Sequence, residues 1–579
     1  MNKILRQYFP ASTLRMLPNR WDLMALPLVV GFLLFFSIGA HQTWAPISTL
    51  QSQAISLDPA DLPEYAVRTT LRMLAAMAAS LVFTLLYGTL AAKSRRAEKL
   101  LVPVLDILQS VPVLGYISFT VTFFLLLFPG RVLGAECAAI FAIFTSQAWN
   151  MTFSFYQSLR MLPRDLEEVA SNLQLSAWQK FWKLDVPYAI PGLVWNMMMS
   201  MSGGWFFVVA SEAITVGDQT ITLPGVGAYL ATAILQRNMA AVGYVILAMV
   251  VVILLYDQFL FRPLVAWADK FRMENTASQA GVPESWVLNL IQRTRLVQRL
   301  LRPVTRTIGR LGNRRFSLPR RRRKAPPSVH ASRLVDWLWN GAIGALTLYA
   351  LWHIITYVGT EVGLDECLHV LGLGLITLVR VMLLIALASL IWVPLGVMIG
   401  LRPTWAEKVQ PLAQFLAAFP ANLLFPVFVI VILRYQLNPD VWLSPLIVLG
   451  TQWYILFNVI AGASAFPNDF REAATNFRIR GWQWWRTVML PGIFPYYVTG
   501  AITASGGAWN ASIVSEFVAW GQDKVVAHGL GAYIAETTAA GDFPKITLGV
   551  VVMSLFVVVF NRVVWRPLYA VAENKLRMN

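Results

Sequence analysis

Cysteine, histidine and charge are all scarce in this chain: it holds two cysteines and five histidines, and charged residues make up 13% of it. Cys137 and Cys367 offer neither a disulfide framework nor the paired spacing of a metal site. There is no Gly-x-x-x-x-Gly-Lys-Ser/Thr phosphate loop and no nucleophile constellation, so the chain reads as a non-enzyme with no metal or cofactor of its own. The shortage of charge excludes more. With 57% apolar residues and a mean hydropathy of +0.58, the composition lies outside that of a soluble domain.

What is present is long apolar runs, several beyond the ~18–20 residues that cross a bilayer as a helix. They fall near 23–43, 69–92, 110–129, 133–158, 190–213 and 241–262, then near 334–357, 372–400, 418–434, 441–463, 494–517 and 546–566. The runs are continuous rather than alternating, which excludes a barrel and predicts an all-α polytopic membrane protein of about twelve helices. The first run has a counterpart near 334–357, where no signal peptide can lie, so it reads as an uncleaved span.

The net charge of +17 has a local origin: between Lys270 and Arg333 sixteen Lys/Arg face two acids, Glu274 and Glu284. Nucleic-acid binding is the tempting reading of Arg320 to Lys324. In a polytopic membrane protein a cytoplasmic loop rich in Lys and Arg is the plainer one, and no nucleic-acid partner is expected. Lys93, Arg95, Arg96 and Lys99 then share the cytoplasmic side with Arg160, Arg164, Lys180 and Lys183, and both termini lie there too. Within 269–333, Val297, Leu300, Leu301, Val304, Ile308 and Leu311 recur at helical spacing, with Arg295, Arg299, Arg302, Arg306 and Arg310 on the other face. That pattern predicts a basic helix on anionic membrane lipids, kinked at Pro303.

Shifted by 304 residues, the chain lies on itself without a gap from Pro163 to Ala268, and the matching residues are largely polar. The pairs include Pro163/Pro467, Asp165/Asp469, Glu168/Glu472, Ala170/Ala474, Trp178/Trp482, Pro187/Pro491, Trp205/Trp509, Glu212/Glu516, Gly225/Gly529 and Gly227/Gly531. Lipid accepts any mixture of Leu, Ile and Val, but it does not preserve a Glu, a Trp and two prolines between spans. The organisation is therefore a first half over 1–268, a basic linker over 269–333 and a second half over 334–579. Each polar loop, 163–191 and 467–495, predicts a short helix with Asp165 or Asp469 near its start, an exposed Glu, and a flat face at Ala170, Ala473 and Ala474 suited to another protein.

Glu472-Ala473-Ala474 followed by Leu490-Pro491 resembles the EAA loop of ATP-binding-cassette importer permeases, and Glu168-Val169-Ala170 followed by Val186-Pro187 is its twin. Trp178 and Trp482, the stretches Trp205 to Glu212 and Trp509 to Glu516, and the closing Arg262-Pro263-Leu264 and Arg566-Pro567-Leu568 are similar to the nitrate/sulfonate/bicarbonate class. The resemblance implies two tandem type I importer (MetI-like) domains in the inner membrane. It also implies two separate ATPase subunits that bind ATP and Mg, coupling helices at the EAA loops, a periplasmic solute-binding protein, and a small anion as cargo. The family's glycine six residues after the glutamate is Gln174 in one half and Arg478 in the other, which puts the turn and the equivalence of the two loops in question. The rival class is an ion-coupled secondary carrier with two parallel six-helix repeats; such carriers place their polar signature between spans two and three, whereas here it follows span four.

Candidate gate and pathway residues complete the reading. Arg72 and Arg380 open span two of each half, where an arginine either attracts an anion or snorkels to the headgroups. Glu212 and Glu516 end span five on the same side, and pairing with Arg72 and Arg380 in a periplasmic gate fits them better than contact with an anion. Gly203 and Gly507, beside Trp205 and Trp509, allow close helix packing between halves. Gly225-x-Gly227 and Gly529-x-Gly531 suit either an anion cradle of backbone N–H groups or a turn.

Overall fold

The computed structural model describes residues 55–271, 285–315 and 329–575, apart from 217, 218, 465 and 467. The expected first span, Pro467 and the run from Arg320 to Lys324 lie outside the described residues. The first half runs α1 (Leu62–Lys93), α2 (Arg95–Ser110), α3 (Ile117–Leu127), α4 (Val132–Arg160), α5 (Arg164–Asn172) and α6 (Ala177–Ser211). The hairpin β1 (Ala213–Val216) and β2 (Gln219–Thr222) follows, then α7 (Val226–Leu235) and α8 (Met239–Phe271). The linker forms α9 (Trp286–Arg293) and α10 (Arg295–Asn313). The second half is α11 (Val329–Glu361), α12 (Leu364–Gly400), α13 (Pro403–Ala418), α14 (Phe425–Tyr435), α15 (Pro439–Leu449), α16 (Gln452–Ser464), α17 (Asn468–Asn476) and α18 (481–515). It closes with β3 (Phe517–Trp520), β4 (Asp523–Val526), α19 (Leu530–Ala540) and α20 (Phe543–Ala572). The two hairpins, antiparallel with Ala213 opposite Thr222 and Phe517 opposite Val526, are the exception among otherwise helical described residues.

Among the described residues seven helices are long and apolar enough to cross a membrane, or nine if the bent pairs α13/α14 and α15/α16 each count as one span. The twelve expected from apolar runs are thus reduced for identifiable reasons. The third run of each half is not one straight helix. Phe419 precedes Pro420 and adopts ψ 125°, because the proline ring excludes its neighbour from the helical region, and the chain bends by 75° there. In the first half Pro112 stands at the same place, and α3 beyond it has 11 residues, a rise of about 16 Å. α18 has the length of α6, but Thr499, Thr503, Ser505, Gly506, Gly507 and Asn510 lower its apolarity. Pro303 does not break α10, which runs from Arg295 to Asn313 with the proline inside it.

The repeat extends further than the gapless stretch. α1 to α3 match α12 to α14 with an offset of 308, and everything from α4 onward matches with 304. The second half therefore lacks four residues at the α14–α15 junction, where Gln436 takes the left-handed conformation with φ 49°. There α4 is one helix, whereas its counterpart is broken by 43° between α15 and α16, next to Gly450 and after Pro445.

Of several hydrophobic clusters, the two largest each contain helices from both halves. Met73, Ile143, Met151, Trp205, Tyr229 and Val245 of the first half pack with Phe425, Val429 and Ile432 of α14. Val381, Ile455, Trp509 and Met553 of the second pack with Ile117 and Val121 of α3. The short third helices are exchanged between the halves, so neither half completes its core alone.

Candidate functional site

The short helices α5 and α17 occupy equivalent places at the ends of α4 and α16, and Glu168 and Glu472 are exposed on them. The expected flat outer face is not there. Ala170 and Ala474 are buried, and Ala473 is half-buried, so the small residues let the helix sit against its own chain and leave the carboxylates outside. Both helices end in the turn that a glycine usually makes. Gln174 and Arg478 hold φ 50° and 54°, and Leu175 and Ile479 donate their N–H groups to Ala170 O (3.1 Å) and Ala474 O (2.9 Å). The turn survives without glycine, at a cost of about 1 kcal/mol for each left-handed residue with a Cβ. Gln174→Gly and Arg478→Gly are therefore expected to raise the thermal unfolding midpoint of the detergent-solubilised chain. A lowered midpoint in both would show that the side chains hold the turn.

The loops differ in what covers them. Trp178 donates its indole N–H to Leu311 O (2.7 Å) and Gln179 its amide to Asn313 O (2.9 Å), both at the end of the linker helix α10. In the second loop Trp482 is 73% exposed, and Gln483 is exposed beside it.

At the opposite ends of the helices the predicted Arg–Glu pairs form in both halves, each within its own half. Arg72 Nη1 lies 2.7 Å from Glu212 Oε1, and the same carboxylate oxygen accepts from Thr69 Oγ1 at 2.6 Å. Its other oxygen accepts from Gly227 N at 2.7 Å. Arg380 Nη1 lies 2.6 Å from Glu516 Oε1, Thr377 Oγ1 donates to it at 3.1 Å, and Gly531 N donates to Glu516 Oε2 at 2.8 Å. Arg72 and Arg380 are 4% and 9% exposed and their glutamates are buried, so neither arginine is a headgroup-seeking side chain. Each Gly-x-Gly element does cradle an anion, and the anion is the chain's own carboxylate. Gly225 and Gly529 lie so close to the Glu212 and Glu516 carboxylates that a Cβ would collide with them.

One member of each cluster was not foreseen. Glu136 takes a bidentate grip on Arg72 (2.6 and 2.7 Å), and Asp440 sits 3.3 Å from Arg380. The 304 offset places Glu136 on Asp440, acid on acid, and that was the available signal. The second cluster is looser: Asp440 is 37% exposed and shares its charge with His528 Nδ1 at 3.0 Å.

Between the halves lie two cavities. A small one of about 80 Å³ is lined by Ser202, Gly203 and Phe206 of α6, Thr451 at the α15–α16 break, Tyr454 of α16, and Gly507 and Asn510 of α18. A larger one of about 840 Å³, toward the polar loops, is lined by Trp195, Met198 and Trp205 of α6, Tyr256 and Arg262 of α8, Phe415 of α13 and Trp453 of α16. Ser202, Ala417 and Tyr454 border both. Ser202 Oγ donates to Ala417 O and accepts from Tyr454 OH at 3.4 Å, so this contact separates them. Gly203 and Gly507 thus face a shared space, which packing alone does not require. Arg262 is paired with Asp257 at 3.0 Å, leaving the large cavity mostly aromatic and apolar.

Beyond the small cavity the hairpins join the halves. Gly521 N donates to Ile234 O (3.0 Å) and Arg237 pairs with Asp523 (2.7 Å). The repeat positions of Arg237 and Asp523 are Gly541 and Gln219, so no second ion pair of this kind can form.

Comparison with known proteins gives this geometry a family. The relatives include the bicarbonate transport system permease protein CmpB of Synechococcus elongatus, 22% identical over 46% of this chain and 95% of that protein. The nitrate import permease protein NrtB of Leptolyngbya laminosa is 23% identical over 31% of this chain and 60% of its own length. The glycine betaine/carnitine transport permease protein GbuB of Listeria monocytogenes is 30% identical over 31% of this chain and 58% of its own. The model of the binding-protein-dependent transport system inner membrane component matches twice, over residues 84–262 and 392–572, one match in each set of repeated helices. The chain belongs to that family of multi-pass inner-membrane importer permeases, and it carries two copies of the permease domain in tandem.

Proposed function

We propose that this chain supplies the whole membrane pathway of an ATP-driven importer of a small anion, of the kind carried by its nitrate and bicarbonate relatives. The observation that carries this reading is the pair of exposed glutamates on matching short helices, both on the side where the larger cavity lies. Two ATPase subunits dock there, one on each loop, and hold the ATP and Mg; this chain itself catalyses nothing. That side is cytoplasmic and holds both termini, with the halves spanning 1–268 and 334–579. Residues Glu168, Gln174, Trp178, Glu472, Arg478 and Trp482 form the docking surface. A solute-binding protein delivers cargo at the hairpin side.

The cavities supply the path. An aromatic and amide-lined route without a free lysine or arginine suits passage, since conduction requires that cargo leave as readily as it enters. Closure of the ATPase pair moves the loops together, parts the hairpins and opens the Ser202–Tyr454 contact, while the Arg72 and Arg380 clusters keep each half rigid beside the gate. The chain co-purified with its ATPases and placed in vesicles is expected to accumulate cargo only with ATP and the binding protein. Accumulation driven by a proton or sodium gradient without ATPases would replace this reading with that of a secondary carrier.

A further inference from the structure

We propose that the linker helix α10 binds anionic phospholipid headgroups and, through its last turn, fixes the first polar loop alone. The proposal rests on the cytoplasmic placement of the linker. Residues 285–315 contain eight arginines and no acid. Both ends of the helix are fixed. At the start, α9 packs beside the exit of α8, with Trp286 5.5 Å from Phe259 and its indole N–H on Gln258 Oε1 at 3.3 Å. At the finish, Leu311 O and Asn313 O receive Trp178 and Gln179, and a Cβ added at Gly312 would lie 3.4 Å from Trp182 Cβ. A helix of 19 residues spans about 28 Å, so α10 reaches from the membrane exit of α8 to the polar loop.

Along that span the arginines recur every three to four residues, and Arg306, Arg310, Arg314 and Arg315 are exposed. Apolar residues Val297, Leu300, Leu301, Val304 and Ile308 fall on the other stripe by sequence. A basic amphipathic helix tethered at a membrane surface matches headgroups in charge and apolar stripe together, and each arginine near an anionic leaflet adds to the attraction. A soluble acidic protein would match the charge but not the stripe. Since no described residue covers Trp482 in this way, lipid charge is read by one half only.

The test is hydrogen exchange on the full chain in nanodiscs of phosphatidylcholine alone or with phosphatidylglycerol. Exchange in 177–183 should slow several-fold with phosphatidylglycerol, while 481–487 stays unchanged. The quadruple change of Arg306, Arg310, Arg314 and Arg315 to Gln should abolish the difference, and these exposed positions leave the cores intact. Inorganic phosphate added to phosphatidylcholine discs should not reproduce it. Equal exchange in both lipids, an equal change in both segments, or a difference that survives the quadruple variant would each overturn the proposal. No transport or ATP enters the measurement, so its outcome is separate from that of the importer reading.

Discussion

Changing Glu168 and Glu472 together to Gln is expected to cut uptake by reconstituted complex at least tenfold while ATP hydrolysis continues. Both carboxylates are exposed in the middle of helices whose alanine faces are already used internally, so they are the groups left to meet a partner. A desolvated charge pair at an interface is worth roughly 2–5 kcal/mol when one member is removed, and ~1.4 kcal/mol is a factor of ten. Two such losses weaken the docking of both loops, so closure of the ATPases is no longer transmitted. Glu167 provides the control: it already pairs with Lys180 at 2.6 Å, and Glu167→Gln should cost less than threefold. The single changes should also be unequal, because Trp178 is held by the linker and Trp482 is exposed. Undiminished uptake by the double variant would remove the loops from coupling.

The duplication, the Arg–Glu pairs and the place of the loops were legible because polar residues at fixed spacing have few uses inside a membrane. What stayed hidden depends on contacts that spacing does not encode. The turn at Gln174 shows this. A missing glycine suggests a lost turn, yet the neighbouring hydrogen bonds enforce φ 50° on a glutamine. The alanines of α5 and α17 fit an outer docking face and an inner packing face equally well by sequence. Which one is used depends on how the preceding helix ends. The exchange of α3 and α14 between cores joins residues some 300 positions apart, as does the Arg237–Asp523 pair that links the hairpins. Glu136 and Asp440 share the 304 offset, but Arg72 and Arg380, the cations they pair with, are related by 308, so no single offset aligns the whole cluster.

Arg72→Met should be the most damaging single change, because it leaves Glu136 and Glu212 facing each other without a cation. Glu212 is fully buried, and only Thr69 and Gly227 remain to bond it. Breaking a buried ion pair by removing one partner costs about 3–5 kcal/mol, a large share of the stability of a typical domain. The expected result is loss of monodisperse protein from detergent extracts, measured by size-exclusion chromatography. Arg380→Met removes the matching cation, yet Asp440 is 37% exposed and keeps His528, so a smaller loss is expected there. The decisive variant combines Arg72→Met with Glu136→Gln and Glu212→Gln. It removes all three charges and leaves amides that still bond Thr69 and Gly227, so folded protein should return to a large part of the wild-type yield. If the triple variant is as unstable as Arg72→Met, the arginine acts through its shape and packing rather than its charge. If it folds but no longer transports, the cluster acts in the gate as well as in the scaffold, a role that stability alone would not disclose.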